Sequence, residues 1–213
     1  MTLPVKRWYA QATDRLIGGV GLSRHKLEEI LDSAIQLFRE KGYHATSMQD
    51  LADAVGLQKG SLYHHIASKE DLLLKIIEQA MNVLIAGVES IMSENISPRE
   101  KLERAVANHI QVVTGNLGPL TVFIRETYAL TPEQQAEIRA TRRRYRALFE
   151  QILQQGVDRG QFRPHDVQLV SLAMFGLGNS IYQWYQPGGR LRPAEIARQF
   201  VDLLLRGILA EGA

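Results

Sequence analysis

Two of the chain's six histidines stand side by side in GLQKGSLYHHI, residues 56–66, next to a tyrosine and a lysine. Such a group can hold a metal, move a proton or face something negatively charged. Neighbours on a helix point about 100° apart, whereas joint chelation needs partners three or four residues away. Positions 60, 61, 67, 68 and 69 are Gly, Ser, Ala, Ser and Lys, so neither His64 nor His65 has such a partner. No metal site and no cofactor are expected. Only Leu62 and Ile66 are plainly apolar, four apart and therefore on one face. They anchor a short helix and turn Gln58, Lys59, Ser61, Tyr63, His64 and His65 outward. All of these can hydrogen-bond phosphates or base edges, and no acid stands among them. Gly60 allows close approach of a phosphate backbone, and Lys69 can take another phosphate beside the amides of the next helix start.

A second group lies further along. At about 100° per residue, Ile138, Tyr145, Phe149 and Ile152 share one stripe, with Arg142 inside its arc and Arg143 and Arg144 pointing away. An arginine there either snorkels to the rim, pairs with an acid such as Glu126, or meets an anionic ligand. His109 among apolar neighbours is either a satisfied core histidine or a ligand contact. Asn179, Tyr182 and Trp184 can give an apolar pocket its few polar handles.

The elements that position these residues are all helical. Apolar residues recur at three and four from about 24 to 41, where Gly42 stops the helix. Thr46-x-x-Gln49 reads as a capping box for a short helix over 47–54 that ends at Gly56, and a second short helix covers about 58–66. Ser68 to Asp71 offers a capped start for a helix to about Met92, and Pro98 opens the next. Helices over LTVFIRETYAL, 132–158, 166–185 and 194–209 follow, with no period-two segment to suggest strands. Nine helices are expected. Residues 1–22 read as a flexible arm, 23–70 as one domain and 71–213 as a second.

Composition narrows the function classes. With 25 Lys+Arg against 23 Asp+Glu the net charge is +2, so a nucleic-acid role must rest on a local patch. No cysteine is present, which removes disulfides and thiolate chemistry. No apolar run is long enough for a membrane helix, and a cytoplasmic location is the expectation. No HExxH, glycine-rich phosphate loop, GxSxG or paired ExxH motif is present, so no catalytic residue is named and the chain is not expected to be an enzyme.

Two short helices joined by a turn at Gly56 match a helix-turn-helix, with a generic helical hairpin as the alternative. Phe38, Gly42, Tyr43, Thr46, Ser47, the run LADAVGLQKGSLYHHI and SKEDLL, over about residues 24–75, resemble the DNA-binding domain of the TetR family of bacterial transcriptional regulators. Gln58 stands where many members have serine and Ile66 where many have an aromatic. The resemblance implies an all-α, nine-helix TetR-like architecture: an N-terminal three-helix domain with the helix-turn-helix, and a C-terminal helical domain for ligand binding and dimerisation. It implies a homodimeric repressor on a palindromic, double-stranded operator. On that pattern Thr46 or Ser47 caps the second helix against a phosphate. Gln58, Lys59, Gly60 and Ser61 face bases or backbone, Tyr63 and His64 grip the backbone, and Lys69 takes a phosphate.

The last two helices carry broad apolar faces, and Val170, Phe175, Leu177, Ile181, Ile196, Phe200, Leu203, Leu204 and Gly207 are expected at a four-helix dimer contact, with Gly176 and Gly178 allowing close backbone approach. The segments FIRETYALTPEQQAEIRATRRRYRALFEQIL and NSIYQWYQPGGRLRPAEIARQFVDLLLRGIL are similar to TetR-like regulators of fatty-acid and steroid breakdown that respond to acyl-CoA thioesters. That likeness implies a small hydrophobic effector contacted by His109, Phe123, Arg125, Arg142, Tyr145, Phe149, Asn179 and Trp184, with Arg142, Arg146 or Arg125 at the CoA phosphates or carboxylates. The rival readings are a helical lipid carrier or enzyme without DNA function, and a regulator that activates or organises DNA without a ligand.

Overall fold

Apolar residues spaced by three and four fold this chain into nine α-helices with no strand among the described residues, which are residues 21–208 of the computed structural model. They are α1 (Gly21–Lys41), α2 (Met48–Ala54), α3 (Lys59–Tyr63), α4 (Lys69–Ser93) and α5 (Pro98–Gly115). Then come α6 (Leu117–Glu126), a 3-10 turn at Thr127–Ala129, α7 (Pro132–Asp158), α8 (Val167–Trp184) and α9 (Pro193–Ile208). Most of the arm expected over residues 1–22 lies outside the described residues, and α1 already begins at Gly21.

By packing, the helices form two compact units. Among the described residues, one comprises residues 21–82 together with Asn116–Arg139; the other comprises Val83–Gly115 and residues 140–208. This division by packing falls inside α4 and α7. Leu72, Leu73, Ile76 and Ile77, in the first turns of α4, are buried with the core of the first unit.

In the first unit, Ile30, Ala34 and Phe38 of α1, Leu51 of α2 and Leu62 of α3 are all at most 3% exposed, and α2 packs on both α1 and α3. Helix α6 docks on α1 where Gly118 allows it, since a Cβ there would fall 2.8 Å from Cγ2 of Ile35. In the second unit, α5 packs against both α8 and α9, and Tyr145, Phe149 and Ile152 of α7 are buried. The chain leaves α7 through Gly160 at φ +69°, a backbone that favours glycine, and this returns Phe162 onto Gly156.

Candidate DNA interface and effector cavity

The turn between α2 and α3 is built by caps at both ends of α2. Ser47 is its N-cap: the hydroxyl accepts from the Asp50 amide at 3.1 Å while the Asp50 carboxylate accepts from the Ser47 amide at 2.8 Å. Lys41 adds a 2.7 Å bond to Asp50 and, with Ser47, holds that carboxyl well below the usual carboxylate range. At the other end Lys26 donates to the Val55 carbonyl at 2.7 Å, and Gly56 turns the chain at φ +64°. Leu62 and Ile66, at 0% and 1% exposure, pin α3 to the core. Gln58, Lys59, Gly60, Tyr63 and His64 are exposed or nearly so, and Ser61 and His65 are half-buried. Space around Gly60 is open. The result is a short helix held by two buried side chains, with an acid-free polar face turned to solvent.

The start of α4 is clamped to the α1–α2 turn. Lys69 donates to the carbonyls of Tyr43 and Thr46, each at 3.0 Å, and its ammonium lies 4.4 Å from the Tyr43 ring centroid. The Tyr43 phenol donates to Glu70 at 3.2 Å; burial, and then the Glu70 charge, push that phenol up.

The second unit contains a cavity of about 10 Å³, the size of one water molecule, lined by residues of α5, α7, α8 and α9. Val106, Ile110, Phe149, Met174, Phe175 and Leu204 make it apolar; His109 is its one titratable lining residue. Nδ1 of His109 lies 3.1 Å from Oη of Tyr145, and the Phe175 ring stands edge-on to the imidazole at 5.6 Å. Burial lowers the His109 pKa to about 4, so the ring is neutral at pH 7.

Two family models match the chain: "Bacterial regulatory proteins, tetR family" over residues 30–84, and "Tetracyclin repressor-like, C-terminal domain" over residues 95–208. The chain belongs to the TetR family of transcriptional regulators. The HTH-type transcriptional repressor KstR2 of Mycobacterium tuberculosis is 30% identical over 201 residues, covering 93% of this chain and 99% of that protein. Among solved structures, PfmR of Thermus thermophilus matches at 38% identity with a TM-score of 0.79, covering 83% of this chain and 97% of that one. AibR, crystallised with isovaleryl coenzyme A and operator DNA, matches at 32% identity with a TM-score of 0.77, covering 84% and 98%. These relatives are regulators of transcription, not enzymes.

On this TetR scaffold the sequence-expected residues fall into distinct places. Thr46 is 1% exposed and donates to the Gly42 carbonyl at 2.8 Å, so it is a buried staple of the turn; the capping box is Ser47–Asp50, not Thr46–Gln49. Lys69 has two of its donors on backbone carbonyls, which makes it first a structural cation. His109 and Phe149 line the cavity and Tyr145 contacts both without lining it, whereas Phe123 is buried in α6 of the first unit and Arg125 is exposed there. Arg142, Asn179 and Trp184 are exposed and do not line the cavity. Arg142 sits at the edge of the apolar stripe, where a long side chain reaches water.

The expected dimer residues divide as well. Ile181 and Ile196 are at most 2% exposed inside one protomer, and Phe175, Phe200 and Leu204 line the cavity. Val170 and Leu177 are half-buried; Leu203 and Gly207 are exposed. The side of α8 left to solvent is Leu169, Leu172, Ala173 and Gly176. Of these, the sequence marks Gly176 for close backbone approach. Gly178, expected as a helix-contact glycine, lies against the His109 ring.

Among the described residues no group of three or more metal-ligating side chains occurs, and no helix is long and apolar enough to cross a membrane.

Proposed function

We propose that this TetR-family regulator is a homodimeric repressor whose two α3 helices read a palindromic operator, and that an acyl-CoA thioester bound in the second unit releases it. The observation that carries the DNA reading is the outward face of α3, with Lys59, Tyr63 and His64 exposed on a helix fixed by Leu62 and Ile66 and Gln58 at its start. Phosphate contacts from Lys59, Tyr63 and His64 supply affinity and register, and Gln58 is the side chain suited to base edges. The Ser47 hydroxyl donates to the Asp50 carboxylate at 2.6 Å, so a phosphate at the start of α2 takes its hydroxyl only by displacing that bond.

The exposed apolar stripe of α8 supports the dimer: Leu169 and Leu172 are 65% and 52% exposed, and a contiguous face of this kind is normally covered. The acyl-CoA reading is supported by AibR's bound isovaleryl coenzyme A and by the apolar lining around His109. A cavity the size of one water admits an acyl chain only when α5, α8 and α9 move apart. An effector that prefers the widened arrangement shifts the population toward it, and release follows if the two α3 helices then no longer match the roughly 34 Å of one DNA turn. The CoA phosphates would lie outside, where Arg142 stands three residues from Tyr145 on α7.

Titration of isovaleryl-CoA and octanoyl-CoA into a labelled protein–operator complex, followed by anisotropy, tests this reading. Release at micromolar ligand supports it; a complex unmoved by saturating acyl-CoA contradicts the effector assignment.

A further inference from the structure

The cavity of the second unit has one polar feature left unanswered. His109 is 5% exposed, its Nδ1 faces the Tyr145 phenol at 3.1 Å, and its Nε2 has no partner. Two proton arrangements are possible. If the proton is on Nδ1, that N–H donates to Oη, and both the phenol O–H and the Nε2 lone pair are left over. If the phenol donates to Nδ1, the proton is on Nε2 and only that N–H is left over. Buried polar groups without partners are costly, so the arrangement with one such group is preferred over the arrangement with two. Burial keeps the phenol protonated and the imidazole neutral, which suits this arrangement.

The edge of the His109 ring packs directly on Gly178 of α8: a Cβ there would lie 2.5 Å from Nε2 and 2.6 Å from Cδ2, so only glycine lets the imidazole sit where it does. Around it stand Val106, Ile110, Phe149, Met174 and Phe175, with no cation among the lining residues to balance an anion. A neutral donor in an apolar, aromatic setting fits a neutral acceptor: the carbonyl oxygen of a thioester or ketone, not a free carboxylate.

We propose that the Nε2–H of His109 is the donor that reads the effector's carbonyl oxygen, with Tyr145 as the positioning residue that fixes the tautomer and Gly178 as the residue whose missing side chain lets the imidazole seat at the cavity wall. This rests on the reading of the cavity as the acyl-CoA site. A thioester carbonyl at the junction of acyl chain and CoA would meet His109, with the acyl body against Phe149, Met174 and Phe175.

The test compares each thioester with its thioether, which lacks only the carbonyl oxygen. Isothermal titration of the full-length protein with octanoyl-CoA and S-octyl-CoA, and with isovaleryl-CoA and S-isopentyl-CoA, should show a thioester preference of about 5- to 50-fold, the scale of one buried hydrogen bond. In His109→Phe the two members of each pair should bind alike. Tyr145→Phe, a nearly isosteric change that serves if His109→Phe folds poorly, should shrink the preference and shift the His109 ring toward mixed tautomers in long-range 1H–15N spectra. Gly178→Ala should weaken the thioester more than the thioether. A preference undiminished in His109→Phe or Tyr145→Phe, or none in the wild type, overturns the role of His109 while leaving acyl-CoA as effector. Failure of both members of each pair to bind the wild type overturns the acyl-CoA reading itself, and this inference with it.

Discussion

The Tyr145 phenol and the His109 imidazole face each other at 3.1 Å, both at most 5% exposed, between α5 and α7. They form a polar pair inside a layer of phenylalanines, and the layer sets the protonation of both. His109 titrates near 4 in the folded protein against an ordinary value of 6.5, because burial disfavours the cation. A folded pKa below the unfolded one means that the unfolded chain binds the extra proton first. The stability from this site is therefore fully present above pH 6.5 and is lost as pH falls toward 4. Between those limits His109 should contribute a slope approaching about 1.4 kcal/mol per pH unit. Urea denaturation from about pH 7 to about pH 4.5 should show a shallower decline for His109→Phe than for the wild type; parallel curves would contradict the assignment.

Lys59 and Tyr63 are exposed on α3, and no hydrogen bond within the described residues engages their side chains. Lys59→Ala should weaken operator binding and reduce the slope of log K against log salt by about one. Tyr63→Ala should cost roughly 5- to 30-fold, one phosphate hydrogen bond. Both variants should melt within a degree or so of the wild type, since exposed substitutions rarely exceed about 0.5 kcal/mol. Unchanged affinity in either would remove that residue from the interface.

The capping box of α2 is made by Ser47 and Asp50, and Gln49 takes no part in it. Ser47→Ala should destabilise the protein by about 1 kcal/mol, as loss of an N-cap does, whereas Gln49→Ala, which gives up only an exposed bond to Asp53, should be close to neutral. Chemical denaturation of the two variants decides this, and equal losses would speak against Ser47 as the cap.

The exposed stripe of α8 should be the dimer contact. Leu172→Asp places a charge at a position 52% exposed in one protomer and should convert a dimer to monomers in sedimentation velocity. A variant that remains dimeric would move the contact elsewhere.

The helices were legible because their signals are local: α7 begins at Pro132 and ends at Asp158 as its period and proline indicate. The outward face of α3 was legible for the same reason, since a helix with only Leu62 and Ile66 to bury turns the rest out. Periodicity tells which residues share a stripe and not what covers it. Ile181 and Ile196 share broad apolar faces with Leu172 and Leu203, yet packing of α5 against α8 and α9 buries the first pair within one protomer and leaves the second exposed. Thr46 and Ser47 both fit the pattern of a cap, and only the turn of the chain, which directs Thr46 to the Gly42 carbonyl, separates them. Gly178 carries no local signal of its role: its meaning comes from His109, 69 positions away.

Selection of the 213-residue chain on random-sequence duplexes asks whether α3 of a symmetric dimer reads DNA. An inverted repeat should emerge whose half-sites lie about 10 base pairs apart, centre to centre, and its affinity should fall in Lys59→Ala. Enrichment of no sequence, or of a site without two-fold symmetry, would contradict that reading.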